Sequence, residues 1–177
     1  MKKIIFITAV LFCSINVLNA QPNDSVPKNK KKYYHAIEAT GFYNFTQRNS
    51  WGGGIHEING IQFNSHLALG LGIGFHYFEN YYTTPKMNFF MFPVYLNFKY
   101  TILKKIKWSP FLMVDFGYIA VYEKFKTSGN GYWEHGLTST ISLGYNCKFK
   151  ETENLYIGIG CEIFMLCPSL KIGFQFK

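Results

Sequence analysis

Apolar and polar residues alternate with period two along most of the chain beyond residue 32. The clearest stretch is the last, where Leu170, Ile172, Phe174 and Phe176 interleave with Lys171, Gly173 and Gln175. Such alternation is the signature of a strand with one greasy face and one polar face. It predicts eight strands, at about Tyr33–Phe45, Gly52–Phe63, Leu67–Phe78, Asn88–Tyr100, Pro110–Tyr122, Tyr132–Phe149, Leu155–Met165 and Ser169–Phe176. No segment of useful length carries a helical period. Short connections such as Asn64-Ser65-His66 and Thr152-Glu153-Asn154 fit a meander, and an even strand count brings both ends of the sheet to one side. Most of these runs are long enough for a tilted membrane strand of about 9–11 residues.

The volumes of the two faces decide which one points in. In the third run Leu67, Leu69, Leu71, Ile73, Phe75 and Tyr77 lie opposite Ala68, Gly70, Gly72, Gly74, His76 and Phe78. The fourth, fifth and seventh runs repeat this division of bulk. An eight-stranded barrel has an interior that side chains just fill, so the bulky faces cannot all converge on it. They are predicted to face outward, and a surface that apolar calls for lipid. The opposite arrangement, a soluble lipocalin-like barrel, is the competing reading. With the bulk outside, the inner face holds charges of both signs: Glu38, His76, Lys99, Asp115, Glu162 and Lys171, with Gln175 beside them. These six are expected to form an interior polar network that fills the lumen, since a buried charge left alone is costly. The second run breaks phase, with Ile55 and Ile61 on one parity and Ile58 on the other. A β-bulge near Glu57–Asn59 would restore it.

Ahead of the strands, residues 1–20 read as a secretory signal peptide: Lys2 and Lys3, then an apolar stretch from Ile4 to Phe12, then Ala20 at the cut. Residues 21–32 are polar and lysine-rich and read as a disordered periplasmic lead-in. The barrel domain is then 33–177. The formal net charge is +8, with lysines gathered in the lead-in and in turns such as Lys104, Lys105 and Lys107. A basic rim of that kind suits anionic lipid headgroups. Lysines confined to a tail and turns are a poor footprint for nucleic acid, and no nucleic-acid partner is expected. Behind the signal, Cys147, Cys161 and Cys167 make an odd set, against a disulfide framework. Aromatics crowd the ends of the strand runs, as at a membrane boundary.

Catalytic chemistry is sparse. His135 and Ser139, with Glu134 adjacent, are the best local candidates for a nucleophile and base, but four residues of strand span about 13 Å. The five histidines show no metal-ligand spacing. No catalytic residue, metal or cofactor is assigned, and the chain is expected not to be an enzyme.

With these features the chain resembles the small outer-membrane β-barrels of Gram-negative bacteria, of the porin-like OmpA/OmpX type. The resemblance is carried by Asn59-Gly60-Ile61-Gln62-Phe63-Asn64, Leu69-Gly70-Leu71-Gly72-Ile73-Gly74, Pro93-Val94-Tyr95-Leu96, Ser109-Pro110-Phe111 and the closing Gly173-Phe174-Gln175-Phe176. It implies an all-β fold, an eight-stranded antiparallel up-and-down transmembrane β-barrel with a side-chain-filled lumen, located in the cell outer membrane. It implies outer-membrane lipids as surroundings, and Phe174 and Phe176 as an assembly signal read by the barrel-assembly machinery. The expected role is envelope-structural or surface interaction through short extracellular loops, with Tyr81, Tyr82 and Trp133 as contacts to an unidentified ligand. A narrow pore for small solutes and a lipid A-modifying enzyme are the alternatives.

Overall fold

The computed structural model describes residues 31–177 except 45–49, 65, 81–86, 103–106, 126–130, 151, 164–166 and 177. The signal and lead-in expected over residues 1–30 lie outside them. The described chain forms eight strands: β1 Lys32–Asn44, β2 Ser50–Gln62, β3 Leu67–Asn80, β4 Met87–Thr101, β5 Trp108–Phe125, β6 Gly131–Lys148, β7 Glu153–Glu162 and β8 Cys167–Phe176. Each strand pairs antiparallel with the next, and β8 closes on β1. All eight expected runs are strands, with ends displaced by at most three residues. Pro168, expected in a turn, instead lies in β8 beside Cys161. It sits at the second position of that strand, where a missing N–H is tolerated.

The register fixes the shape of the barrel. Paired residues lead around the sheet from Lys32 through Gln62, Ala68, Lys99, Met113, Ser142, Gly160 and Ser169 to Phe42. One circuit therefore climbs ten residues along β1. That stagger in eight strands corresponds to a tilt of about 40°. The expected bulge in β2 is absent. Pairing runs unbroken from Asn44↔Ser50 to Lys32↔Gln62 on one side, and from Trp51↔Glu79 to Gln62↔Ala68 on the other. Ile58 points inward and is 2% exposed, while Glu57 points outward. The phase is kept because Ile58 has an apolar pocket to fill inside, next to Tyr34 and Ala36.

Polarity is inverted relative to a soluble protein. Ile37, Ile55, Leu71, Phe116, Leu143 and Ile159 stand on the exterior at 50–69% exposure, whereas Glu38 is 0% exposed and Asp115, Lys99 and Lys171 are all buried. An exterior clothed in aliphatic side chains is stable only against hydrocarbon. Aromatic side chains frame this belt. Tyr33, Phe63, Tyr100, Trp108 and Phe176 lie near the rim where β1 starts and β8 ends. Trp51, Tyr118, Trp133 and Tyr122 lie toward the far rim. Amphipathic rings at two levels match the two faces of a bilayer.

Inward glycines make room for inward rings. A Cβ on Gly72 would meet the Tyr95 ring at 2.3 Å, and one on Gly173 the Tyr156 ring at 2.1 Å. Tyr34 lies in the same way over Gly60 and Gly70. Several of the large interior rings lie across glycine on a neighbouring strand in this way, a packing that stabilises both.

Candidate functional site

The interior is layered. Nearest the rim of the chain ends is an apolar cluster that includes Tyr34, Ile58, Phe111, Met113 and Tyr156. A second cluster near the far rim consists of Phe42, Phe78, Met91 and Ile119, with Phe89 and Val121 against it. The order along β1, Tyr34 and Ala36, then Glu38 and Thr40, then Phe42, places the charged groups between them.

Lys171 is the hub of that middle layer. Its Nζ is 2.6 Å from Asp115 Oδ2 and 3.4 Å from Glu38 Oε1. Asp115 Oδ1 accepts from Asn97 Nδ2 at 2.6 Å, and Asn97 Oδ1 accepts from the Tyr34 hydroxyl at 3.3 Å. Glu38 accepts from the Tyr156 hydroxyl at 3.0 Å and from Thr40 Oγ1 at 3.3 Å. Lys99 donates to Gln175 at 3.3 Å and lies 3.9 Å from the centroid of the Tyr156 ring. Two cations thus offset two carboxylates, with neutral donors completing the shells. Burial of this many charges is tolerable only because each one is bonded.

Of the six residues expected in one interior network, all point into the lumen, but they divide into three groups. Glu38, Asp115 and Lys171 share contacts. Lys99 is joined to them through Tyr156. Glu162 accepts from the hydroxyls of Thr138 and Thr140, and His76 belongs to a separate histidine cluster. In that cluster His76 Nε2 and His56 Nε2 are 2.6 Å apart, and the Tyr95 hydroxyl is 2.9 Å from His56 Nδ1. His56 was not among the expected members. Its partner is twenty residues away, and the β2–β3 register alone brings them together. A cavity of about 30 Å³ lies beside these groups, lined by His56, His76, Tyr95, Asp115, Glu162 and Lys171 among others. It has room for about two waters. No cluster of three or more His, Cys, Asp or Glu suited to a metal ion occurs among the described residues.

The remaining expected residues lie elsewhere. His135 stacks on Tyr118 with centroids 5.7 Å apart, while Ser139 gives its backbone carbonyl to Ile163 N at 2.8 Å. Phe174 and Phe176 face outward near the β1–β8 seam and touch each other, with centroids 4.7 Å apart. Tyr81 and Tyr82 lie outside the described residues. Trp133 is 62% exposed and packs on Tyr122 and Phe92.

Trp133 belongs to a feature the alternation alone did not expose. β6 pairs with β5 as far as Gly131↔Lys124, but its pairing with β7 begins only at Thr140↔Glu162. The upper part of β6 is therefore an open sheet edge among the described residues. Ser139 turns its backbone groups to the β7 side. By the alternation of an antiparallel ladder, Leu137, His135 and Trp133 do the same, presenting N–H and C=O groups that meet no strand among the described residues. At the inner side of this ribbon the Tyr132 hydroxyl donates to Glu123.

No known family's sequence profile matches the chain, and no curated protein does. Solved structures do. Neisserial surface protein A (NspA) aligns with TM-score 0.61 at 14% identity, over 82% of this chain and 96% of that one. The outer membrane protein OprG from Pseudomonas aeruginosa aligns with TM-score 0.58 at 9% identity, over 86% and 99%. At such identities the likeness is one of fold: this chain has the eight-stranded β-barrel architecture of those outer-membrane proteins.

Proposed function

We propose that this chain is a non-enzymatic outer-membrane protein that engages an extracellular partner at the open edge of β6. The observation that carries the reading is that edge itself. Main-chain donors and acceptors of Trp133, His135 and Leu137 project beyond the last β7 contact, next to exposed aromatic surface. A sheet edge of this form takes up an extended peptide by strand addition, and alternate side chains then select it. Indole and phenol rings supply contact area at low cost in conformational entropy. The edge lies at the rim opposite the start of β1 and the end of β8, the extracellular rim if both ends are periplasmic. The expected signal at residues 1–20 supports export.

The test pans a random peptide display library on lipid vesicles holding the full chain, with empty vesicles as control. Enriched peptides should read as extended strands. Trp133→Ala and His135→Pro should each weaken their binding at least tenfold. Proline at 135 removes a donor only from the open side and leaves the β5 ladder intact. Absence of enrichment would refute strand capture here.

The closed reading of the lumen is supported by the two apolar clusters on either side of the ion layer. In planar bilayers the chain should be electrically silent, and steady openings would favour the narrow pore instead. An unchanged lipid A mass with and without the chain is the matching expectation against the enzyme alternative.

A further inference from the structure

One part of the exterior departs from the rule that the outer face is apolar. On β1 and β2 the outward residues include Tyr33, His35, Glu57 and Asn59. They are connected: the Tyr33 hydroxyl donates to Asn59 Oδ1, Asn59 Nδ2 donates to Glu57 Oε1 at 3.0 Å, and His35 Nε2 lies 3.3 Å from that same oxygen. Glu57 is not at the edge of the belt. Its cross-strand neighbours are Ile37 and Ile73, and Ile55 is the next outward residue on its own strand. All the contacts to its carboxylate among the described residues fall on Oε1, and the side chain is 29% exposed. A carboxylate that turns one oxygen to hydrocarbon is unfavourable unless a donor reaches it.

The surface beside it is shallow as well as polar. Gly41 and Gly53 are paired across β1 and β2, with Ala39 next to Gly41 on the outward face. A Cβ at Gly41 would meet nothing within 4 Å. At comparable positions other strands carry Phe75, Val94 and Phe116. Small residues in a bilayer let two backbones approach closely, and polar groups across the contact then hydrogen-bond out of water.

We propose that this patch is a self-association site within the membrane, occupied by the same patch of a second copy of the chain. The pairing follows from its chemistry. A two-fold axis along the membrane normal places like residues opposite one another at equal depth. Asn59 has a second amide hydrogen beyond the one given to Glu57, so each copy brings a donor for the other's free carboxylate oxygen. The patch is therefore complementary to itself in hydrogen bonding, and its small residues let the second copy come close. A pure lipid environment offers neither.

The experiment is sedimentation equilibrium of the full chain in density-matched detergent micelles, with folding of every variant checked by heat-modified gel mobility. The wild-type chain should dimerise. Glu57→Leu should raise the dissociation constant at least tenfold, and Glu57→Gln, which keeps an acceptor oxygen, less than threefold. Gly41→Leu, which adds bulk where nothing in the barrel stands, should also weaken the dimer at least tenfold without disturbing the fold. Ile159→Ala, outward on β7, should change nothing. A wild-type chain that remains monomeric at all concentrations would overturn the proposal, leaving lipid or another protein as the patch's neighbour. So would dimers indifferent to both Glu57→Leu and Gly41→Leu. If Glu57→Leu does not fold, the glycine variant decides.

Discussion

Replacing Lys171 by methionine is expected to destabilise the folded barrel by about 3–5 kcal/mol, the range for breaking a buried ion pair by removing one partner. The reason is geometric. Lys171 Nζ is within 2.6 Å of Asp115 and 3.4 Å of Glu38, and both carboxylates are buried in the middle of the lumen. Methionine fills nearly the same volume, so the change isolates charge from packing. What remains is two neighbouring carboxylates whose other donors, Asn97, Thr40 and Tyr156, are all neutral. The measurement is urea-induced unfolding in lipid vesicles, read from the midpoint at constant slope. A triple variant, Glu38→Gln with Asp115→Asn and Lys171→Met, removes the whole charged set. It should recover most of the loss, because a buried ion cluster replaced by neutral groups of similar shape is often close to neutral in stability. If Lys171→Met leaves the midpoint where it was, the ion layer does not hold the barrel together.

The same layer shows what can and cannot be read from the chain. Alternation located all eight strands, because a strand with one face in lipid and one in a packed lumen is under the same demand at every second residue. Facing was legible from bulk: Leu69, Leu71 and Ile73 against Gly70, Gly72 and Gly74 can be arranged only one way around a narrow lumen. Cross-strand partners were not legible, since they depend on the ten-residue stagger, which appears in no local pattern. The stagger places Tyr95 over Gly72 and Tyr156 over Gly173, so several of the largest rings fill the interior rather than clothe the outside. It also makes His56 the neighbour of His76, and stacks Lys99 on Tyr156. In β2 the broken phase of Ile58 had two explanations, a bulge or an apolar residue inside. Only the unbroken pairing with both neighbours separates them.

The open edge of β6 belongs to the same class of feature. β5 and β6 run 18 residues each, whereas β7 and β8 run 10. The long alternation through Tyr132 and Glu134 was visible in the chain, but the unequal reach of its two neighbours was not. The edge arises from that inequality.

Interior glycines carry the second large effect. Gly144→Ala is expected to cost about 1–3 kcal/mol by overpacking, and a larger side chain there more. Gly144 of β6 pairs with Gly158 of β7, and a Cβ on it would come within 2.1 Å of the Ile157 carbonyl oxygen and 2.6 Å of Gly158 Cα. Both are backbone atoms of the paired strand, so no side chain can swing aside. The third neighbour, Phe111 Cζ at 2.8 Å, belongs to a ring set edge-on against Tyr156. Displacing that ring disturbs the cluster that closes this end of the lumen, as well as the tyrosine that donates to Glu38. Gly41→Ala is the matched control. It lies on the outer face with nothing within 4 Å of an added Cβ, so its stability should stay within about 0.5 kcal/mol of the original. Urea midpoints for the pair in vesicles, measured side by side, test whether glycine inside this barrel is a packing requirement. Equal midpoints would show that the strands can part to admit a methyl group, and that the close fit of ring on glycine is not what keeps the lumen shut.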